Sequence, residues 1–394
     1  MERKLKILYF ANLITIFGSA FLFIPISKNF SIYFGVGMSW AMVYFIMRSP
    51  PVFLSRVYAN AANKFGLTKT ITYSQLFAML SSIVLLVGVY YKINLLAIVG
   101  FALVCSFSLT LRTLYPSLLN LLSENKKSLQ KHIADWQTVI FGAAILGIGI
   151  GGVLYEYCSM IVFVLVDLVT FLTAFLIWYF TTRLIKGSIS NIKTESWSLA
   201  QFVQLVALPL NLVIFFKKLA YGFINPMMAV IFLEKFELST ATFSLLFSTT
   251  IIFSIIASRT ARHIKISYNY CLLFSVVELA LGTYFIVSNY LVLSVICFFM
   301  SSFFMVFADV NTETLYLGRF KKKGSNNLAS MFSAMRNGGQ LVGFVVFMIV
   351  AEGSFNLFLV SAISVITCCI LSLLFISLSK YGFIYFKEEL ILKG

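Results

Sequence analysis

Two carboxyl side chains stand deep inside long apolar stretches of this sequence. Asp167 is preceded by Phe-Val-Leu-Val, and Glu278 is followed by Leu-Ala-Leu. A charge at the centre of a lipid bilayer costs about 2.5–3.5 kcal/mol on insertion scales, so such an acid requires a partner, a cavity or a function. Each acid is therefore a candidate to carry a proton across a membrane, and pairing with a neighbouring helix is the default alternative.

Polar residues in two other apolar stretches suit the binding of a substrate. Asn12, Thr15 and Ser19 are spaced by three and four residues, which places them on one face of a helix. Lys217 and Lys218 are adjacent, so on a helix they point about 100° apart. One lysine can extend to the lipid headgroups. The other can face a cavity and meet an anionic group, and we take Lys218 as that candidate.

Two further features are candidates for a conformational gate. Asn225, which is also a substrate or coupling candidate, is followed by Pro226, which lacks a backbone N–H and serves either a bend for gating or ordinary packing. Asp309, Glu313 and Arg336 form a charged group near the ends of two apolar stretches. A salt bridge between Asp309 and Arg336 would close one mouth of a central cavity; the alternative is two solvated helix ends.

Twelve apolar segments, each long enough to cross a bilayer, must position these residues. A membrane-spanning helix requires about 20 predominantly apolar residues. Charged residues make up 11% of this chain, against about 25% in a soluble domain. The sequence therefore predicts an all-α membrane protein, with spans at 7–27, 31–47, 71–91, 94–111, 136–155, 158–182, 210–232, 241–258, 268–287, 290–309, 330–350 and 356–378.

The positive charges indicate the orientation of these segments. If both termini are cytoplasmic, only Lys28, Lys92 and Lys235 of the 30 Lys and Arg residues fall in outward-facing loops. Such asymmetry follows the positive-inside rule. The net charge of +16 is dispersed over many short loops, which favours contact with anionic lipids over binding of nucleic acid. We expect an integral protein of a bacterial-type inner membrane.

No pattern typical of an enzyme, a metal site or an ATP-driven pump is found in the sequence. A Walker-type phosphate loop, an HExxH sequence and a paired-cysteine motif are all missing. The six cysteines have no metal-ligand spacing. We therefore expect no cofactor and no metal, and an ion gradient as the source of any transport energy.

The longest polar interruption divides the chain into two halves with six segments each. We predict an N-terminal half at 1–184, a cytoplasmic central loop at 185–205 and a C-terminal half at 206–394. Basic loops follow the second and fourth segments of both halves. A parallel repeat of six helices per half is the signature of one large transporter architecture.

The loop after the second segment resembles a motif of the major facilitator superfamily. The segment 59–69 reads ANAANKFGLTK, and the family pattern is G-x-x-x-D-R-x-G-R-R. Gly66 and the basic residue Lys64 are retained, whereas Asn63 replaces the aspartate. The resemblance implies that Asn63 and Lys64 take part in gating.

The fifth segment resembles the antiporter motif of the same superfamily, G-x-x-x-G-P-x-x-G-G. Gly147, Gly151 and Gly152 match its last three glycines, whereas Ala143 replaces the first glycine and Ile148 replaces the proline. Small residues at this spacing let two helix backbones approach closely. In family members this motif is associated with export, and ordinary helix packing is the alternative explanation.

Three stretches are similar to the branch that contains the enterobactin exporter and the macrolide efflux proteins. They begin at Leu114, Val166 and Asn12. The resemblance implies the major facilitator fold, with 12 transmembrane helices in two six-helix pseudo-repeats.

These observations together predict a secondary active transporter. We expect a proton-coupled exporter of a bulky amphipathic small molecule, such as a siderophore or an antibiotic, working by alternating access. An uptake carrier for a siderophore or another metabolite on the same fold is the first alternative, and a membrane scaffold or sensor is the second. The expected partners are the small-molecule substrate, protons and membrane lipids, with no nucleic acid, and a monomer is expected to suffice.

Overall fold

The computed structural model describes residues 2–123, 126–184, 209–264, 268–317, 325–353 and 356–382. These residues form thirteen α-helices and one π-helical turn, with no strand among them. Every predicted apolar segment is helical, and α3 is an additional short helix. The helices are α1 (Glu2–Phe34), α2 (Val36–Phe53), α3 (Ser55–Phe65), α4 (Leu67–Tyr90), α5 (Asn94–Leu122), α6 (Lys126–Leu154), α7 (Met160–Leu184), α8 (Pro209–Ala229, continued by the π-helical turn Val230–Lys235), α9 (Thr240–His263), α10 (Tyr268–Val287), α11 (Leu291–Leu317), α12 (Ser325–Glu352) and α13 (Leu357–Gly382).

Length and apolar composition qualify ten of these helices to cross a membrane. Two predicted spans fall short of this criterion, although both are helices. Arg48 and the prolines Pro50 and Pro51 reduce the apolar character of the last turns of α2, and the apolar part of α10 is the shorter stretch Leu273–Val287. Large apolar side chains such as Ile349 are more than half exposed on the outer surface. Lipid is the solvent that suits such a surface.

Helix packing divides the molecule into two bundles. In the N-terminal bundle, α1 packs on α6 and α7, and α4 packs on α5 and α7. In the C-terminal bundle, α8 packs on α12 and α13, and α10 packs on α11 and α13. The bundles meet along two main helix pairs, α2 with α12 and α6 with α9. The predicted central loop at 185–205 lies outside the described residues.

Glycines make the same close helix contact in both bundles. A Cβ atom on Gly147 would lie 2.6 Å from the backbone oxygen of Phe17 in α1, and one on Gly151 would collide with the oxygen of Phe21. Gly339 and Gly343 of α12 face the backbone oxygens of Phe215 and Leu219 in α8 in the same way. Both pairs of glycines, and both pairs of oxygens, are four residues apart. This correspondence is what the predicted six-helix pseudo-repeat requires.

The two bundles touch at both ends of their interface. Toward one end, Gln130 of α6 donates to the backbone oxygen of Ala261 in α9 at 2.6 Å. Toward the other end, the rings of Trp40 in α2 and Phe243 in α9 meet edge to face with centroids 5.3 Å apart. The bundles are therefore in contact at both ends of their interface.

Candidate functional site

Four charged side chains meet inside the C-terminal bundle. Lys217 Nζ of α8 lies 2.9 Å from Glu278 Oε2 of α10 and 3.0 Å from Asp309 Oδ1 of α11. Lys218 Nζ lies 2.6 Å from the other oxygen of Asp309, Oδ2. We refer to Lys217, Lys218, Glu278 and Asp309 as the charge cluster. It joins three helices through two cations and two carboxylates.

The charge cluster is withdrawn from solvent. The side chains of Lys217 and Glu278 are 3% and 0% exposed, and that of Asp309 is 23% exposed. Lys217 and Glu278 form an ion pair by distance, and the Tyr221 hydroxyl is a hydrogen-bonding neighbour of the Glu278 carboxylate. A buried charge without a partner is strongly destabilising, so each member requires the others.

Neither lysine of α8 extends to the lipid headgroups, which corrects the expectation that one of them would do so. Both are buried, and their ammonium groups converge on one carboxylate. Adjacent helical residues diverge by about 100°, but a long lysine stem lets both groups reach Asp309 from different sides. The Lys218 ammonium also lies 5.6 Å from the ring centroid of Tyr221, whose hydroxyl is 3.2 Å from Ser301 Oγ.

The N-terminal bundle holds its acid differently. Asp167 of α7 is fully buried, and its Oδ2 accepts a hydrogen bond from the Ser82 hydroxyl of α4 at 3.3 Å. The Ser19 hydroxyl of α1 is a second hydrogen-bonding neighbour. Asp167 Oδ1 has no partner, and no cation pairs with this carboxyl group among the described side chains.

A small cavity lies beside Asp167. Thr15, Ser19, Asp167 and Arg112 contribute its polar lining, and apolar residues such as Phe23 complete it. Its volume is about 30 Å³, enough for one or two water molecules. A drug-sized ligand needs several hundred cubic ångströms. The polar residues of this cavity therefore enclose space for water molecules only.

The predicted polar face of the first segment is partly used within the bundle. Thr15 donates to the Gln75 side chain of α4 at 3.0 Å. Asn12 is fully buried, and neither atom of its amide has a hydrogen-bond partner among the described residues. Asn225 is half-buried in α8. A substrate role for these residues stays a prediction.

The predicted ion pair between Asp309 and Arg336 is not formed in this structure. Both oxygens of Asp309 accept from lysines of α8 instead. Arg336 lies within electrostatic range of Asp309 but makes no ion pair with a described side chain. The side chain of Glu313 lies outside the described part. The gating role of Asp309 and Arg336 stays a prediction, without the contact on which it was based.

Two further arginines lie near Arg336. Arg48 of α2 donates through Nη1 to the Asn337 side chain of α12 at 3.3 Å, which links the two bundles. Arg112 of α5 lines the small cavity. Arg48, Arg112 and Arg336 are close enough to repel one another. Arg48 was overlooked because it stands just before Ser-Pro-Pro and was assigned to a helix end.

The gating candidates of the superfamily motifs lie at contacts between helices. Asn63 is half-buried and Lys64 exposed, both on α3, which packs against α12 of the other bundle. Gly147 and Gly151 contact α1 within their own bundle, whereas Gly152 faces Ser244 of α9 across the interface. The described residues contain no group of three or more His, Cys, Asp or Glu side chains suited to a metal ion.

Comparisons with known proteins identify the fold. Neither a family model nor a curated protein matches the chain at the level of sequence. The human organic anion transporter MFSD10 superposes with a TM-score of 0.74 at 10% identity, covering 94% of this chain and 99% of the transporter. An outward-facing bacterial homologue of the iron transporter ferroportin gives 0.71 at 14% identity, covering 95% and 99%.

The E. coli fucose:proton symporter, a Major Facilitator Superfamily transporter, is also similar, with a TM-score of 0.65 at 13% identity and coverage of 95% and 98%. At such identities the similarity shows the fold and nothing finer. The chain is therefore an all-α integral membrane protein with the major facilitator fold, as its sequence predicts. Its assignment to the branch of the enterobactin exporter and the macrolide efflux proteins stays a prediction.

Proposed function

We propose that this protein is a proton-coupled secondary transporter that exports a bulky amphipathic small molecule by alternating access. The single observation that carries the proposal is the charge cluster inside the C-terminal bundle. Ionisable groups within a membrane-spanning bundle are costly and mark ion or substrate pathways by default. By their names, the proteins of this fold in the comparisons are an organic anion transporter, a homologue of an iron transporter and a fucose:proton symporter.

The charge cluster supplies a physical basis for proton coupling. Protonation of Asp309 would leave Lys218 without a counter-charge, and protonation of Glu278 would leave the two lysines sharing one carboxylate. Protonation would therefore favour a conformation in which the lysine contacts water or an anionic ligand. A proton and a cargo that bias the same two-state equilibrium are thereby coupled.

The interface between the bundles supplies the second requirement, which is alternating access. Rocking of one bundle against the other opens a central site to one side of the membrane at a time. Opening the side near α3 would break the hydrogen bonds of Arg48 with Asn337 and of Gln130 with Ala261. Opening the opposite side would separate the rings of Trp40 and Phe243.

Export is the direction that the antiporter-like glycines favour, and uptake by the same fold is the alternative. The repetition of the glycine contact by Gly339 and Gly343 in α12 favours a packing role for Gly147 and Gly151. Such a role is compatible with either direction. The direction of transport therefore follows from whether protons and cargo move in opposite directions or together.

Metabolites inside and outside cells with and without the gene identify the cargo. Proteoliposomes loaded with that cargo and an internal pH dye then give the coupling. Export by antiport predicts that cargo leaving the vesicle drives protons inward, whereas uptake by symport predicts that both move together.

The variant Glu278→Gln should uncouple proton movement from cargo movement. Glu352→Gln is the matched control, because Glu352 is exposed at the end of α12. Proton flux that is unchanged in Glu278→Gln, or that is absent from the wild-type protein, would refute the proton coupling.

A further inference from the structure

We infer that Arg48, Arg112 and Arg336 form a binding site for the anionic group of an amphipathic ligand between the two bundles. The ligand group is a carboxylate, a phosphate or a sulfonate. This inference rests on the proposed transport function and adds to it the charge of the cargo. We refer to the three residues as the arginine group.

Positive side chains outnumber negative ones near the centre of the molecule. Arg48, Arg112 and Arg336, with Lys217 and Lys218, bring five cations to the centre of the molecule, and Asp167, Glu278 and Asp309 bring three carboxyl groups. The lysines and two of the acids neutralise one another in the charge cluster. Asp167 makes no ion pair with Arg112, although both line the same cavity. None of the three arginines forms an ion pair with a described side chain, and Asp309, which lies within electrostatic range of Arg48 and Arg336, is already shared by two lysines.

The three arginines are supplied by both bundles. Arg48 belongs to α2 and Arg112 to α5 of one bundle, whereas Arg336 belongs to α12 of the other. The hydrogen bond of Arg48 to Asn337, the neighbour of Arg336 in the chain, shows that these helices meet there. A group held between them contacts both bundles at once. Its affinity then depends on how far the bundles have opened, which is the property a transported ligand needs.

The guanidinium groups of these arginines suit the binding of an anion. A guanidinium group presents a rigid fork of donors that binds a carboxylate or phosphate through two parallel hydrogen bonds. It is also hydrated more weakly than an ammonium group, so its burial is less costly. Arg48 Nε is buried without a partner in the described structure. Electrostatic repulsion among the three arginines raises the free energy of this state, and a bound anion would lower it.

The cavity of about 30 Å³ beside Arg112 lies within the N-terminal bundle and is too small for such a ligand. The proposed site between the bundles therefore takes the ligand in a state in which the bundles have parted. Two xanthene dyes test the inference, because fluorescein is an anion and rhodamine 123 a cation on the same aromatic core. The protein in phosphatidylcholine nanodiscs is titrated with each dye, and binding is measured by fluorescence polarisation. We expect fluorescein to bind at least tenfold more tightly than rhodamine 123.

Arg112→Gln and Arg336→Gln should each weaken fluorescein binding by about tenfold or more, because each removes a charge-assisted hydrogen bond. Arg112→Lys keeps the charge and should lose less. Arg259→Gln is the matched control, since Arg259 is an exposed arginine of α9, and it should bind fluorescein like the wild-type protein. Failure of the wild-type protein to prefer fluorescein, or equal losses in Arg259→Gln and Arg112→Gln, would overturn the inference.

Two further arms separate this result from related ones. Replacing part of the phosphatidylcholine with phosphatidylglycerol shows whether a lipid headgroup competes for the site. Competition assigns the site to an anionic lipid, its absence assigns it to a soluble anion, and both support an anion site. Proton-coupled dye transport that persists without any preference for fluorescein would remove the inference and leave the proposed function standing. Arginine-dependent binding of fluorescein without proton flux would support the inference and refute the proposed proton coupling.

Discussion

The N-terminal and C-terminal bundles share a backbone contact but differ in the side chains beside it. Ser19 lies between the two residues of α1 whose backbone the α6 glycines contact. Lys217 lies between the two residues of α8 whose backbone the α12 glycines contact. A small hydroxyl in one bundle thus takes the place of a long cation in the other.

The buried acids of the two bundles differ in the same way. Ser19 neighbours Asp167, which is held by the hydroxyl of Ser82 and has no ion pair. Lys217 contacts Glu278, which is held by charge. The repeated backbone contact therefore does not determine which side chains lie beside it. One bundle keeps a carboxyl group among neutral donors, and the other keeps a balanced set of ions.

Loss of Lys217 should have the largest effect in either bundle. Lys217→Ala leaves Glu278 buried without its cation and removes one of the two cations on Asp309. Breaking a buried ion pair from one side costs about 3–5 kcal/mol. We expect a loss of this size in the free energy of unfolding, measured by reversible denaturation in mixed micelles.

Two variants sharpen that comparison. Lys217→Met combined with Glu278→Gln should recover much of the stability, because no full charge then remains unpaired at Glu278. Ser19→Ala is the matched change in the other bundle, and it should cost about 1 kcal/mol, the value of one ordinary hydrogen bond. Equal losses in Lys217→Ala and Ser19→Ala would show that the two bundles do not differ as described.

The next largest effect should come from Asp309. Asp309→Asn leaves two lysine ammonium groups close together without their shared carboxylate, at a cost of about 2–3 kcal/mol, moderated because Asp309 is partly exposed. Arg336→Gln should change stability by less than about 0.5 kcal/mol, since it breaks no ion pair. Thermal unfolding of both variants compares them directly. A larger loss in Arg336→Gln would restore the predicted gate between Arg336 and Asp309.

The shared backbone contact should respond alike in both bundles. Gly151→Leu and Gly343→Leu each push a side chain into the backbone of a neighbouring helix, and overpacking of this kind costs about 1–3 kcal/mol. We also expect both variants to lose transport. Gly142→Ala is the control, because a Cβ atom there meets open space. Loss of stability in one bundle only would end the correspondence between α6 and α12.

The helices of this fold were predictable, because an apolar run must satisfy its backbone hydrogen bonds internally in lipid. The partners of the charges were not. Lys217 and Lys218 lie 92 and 91 residues from Asp309 in sequence, and their meeting depends on how α8 and α11 are rotated about their axes. The sequence identified Glu278 and Asp167 as deep acids and named pairing with a neighbouring helix as the default. Both acids have such contacts in the structure, and their role in coupling stays a prediction.

The smallest effect, and the sharpest test of the difference between the bundles, is expected at Asp167. Asp167→Asn keeps an oxygen that accepts from Ser82 and removes a charge that no described cation balances. An uncompensated buried charge is expensive, whereas a hydrogen-bonded amide is tolerated. The variant should therefore unfold within about 1 kcal/mol of the wild-type protein, or be more stable. Glu278→Gln, the same change in the other bundle, takes a counter-charge from Lys217 and should cost more. If Asp167→Asn is as destabilising as Glu278→Gln, then Asp167 is held by charge after all, and the two bundles keep their acids in the same way.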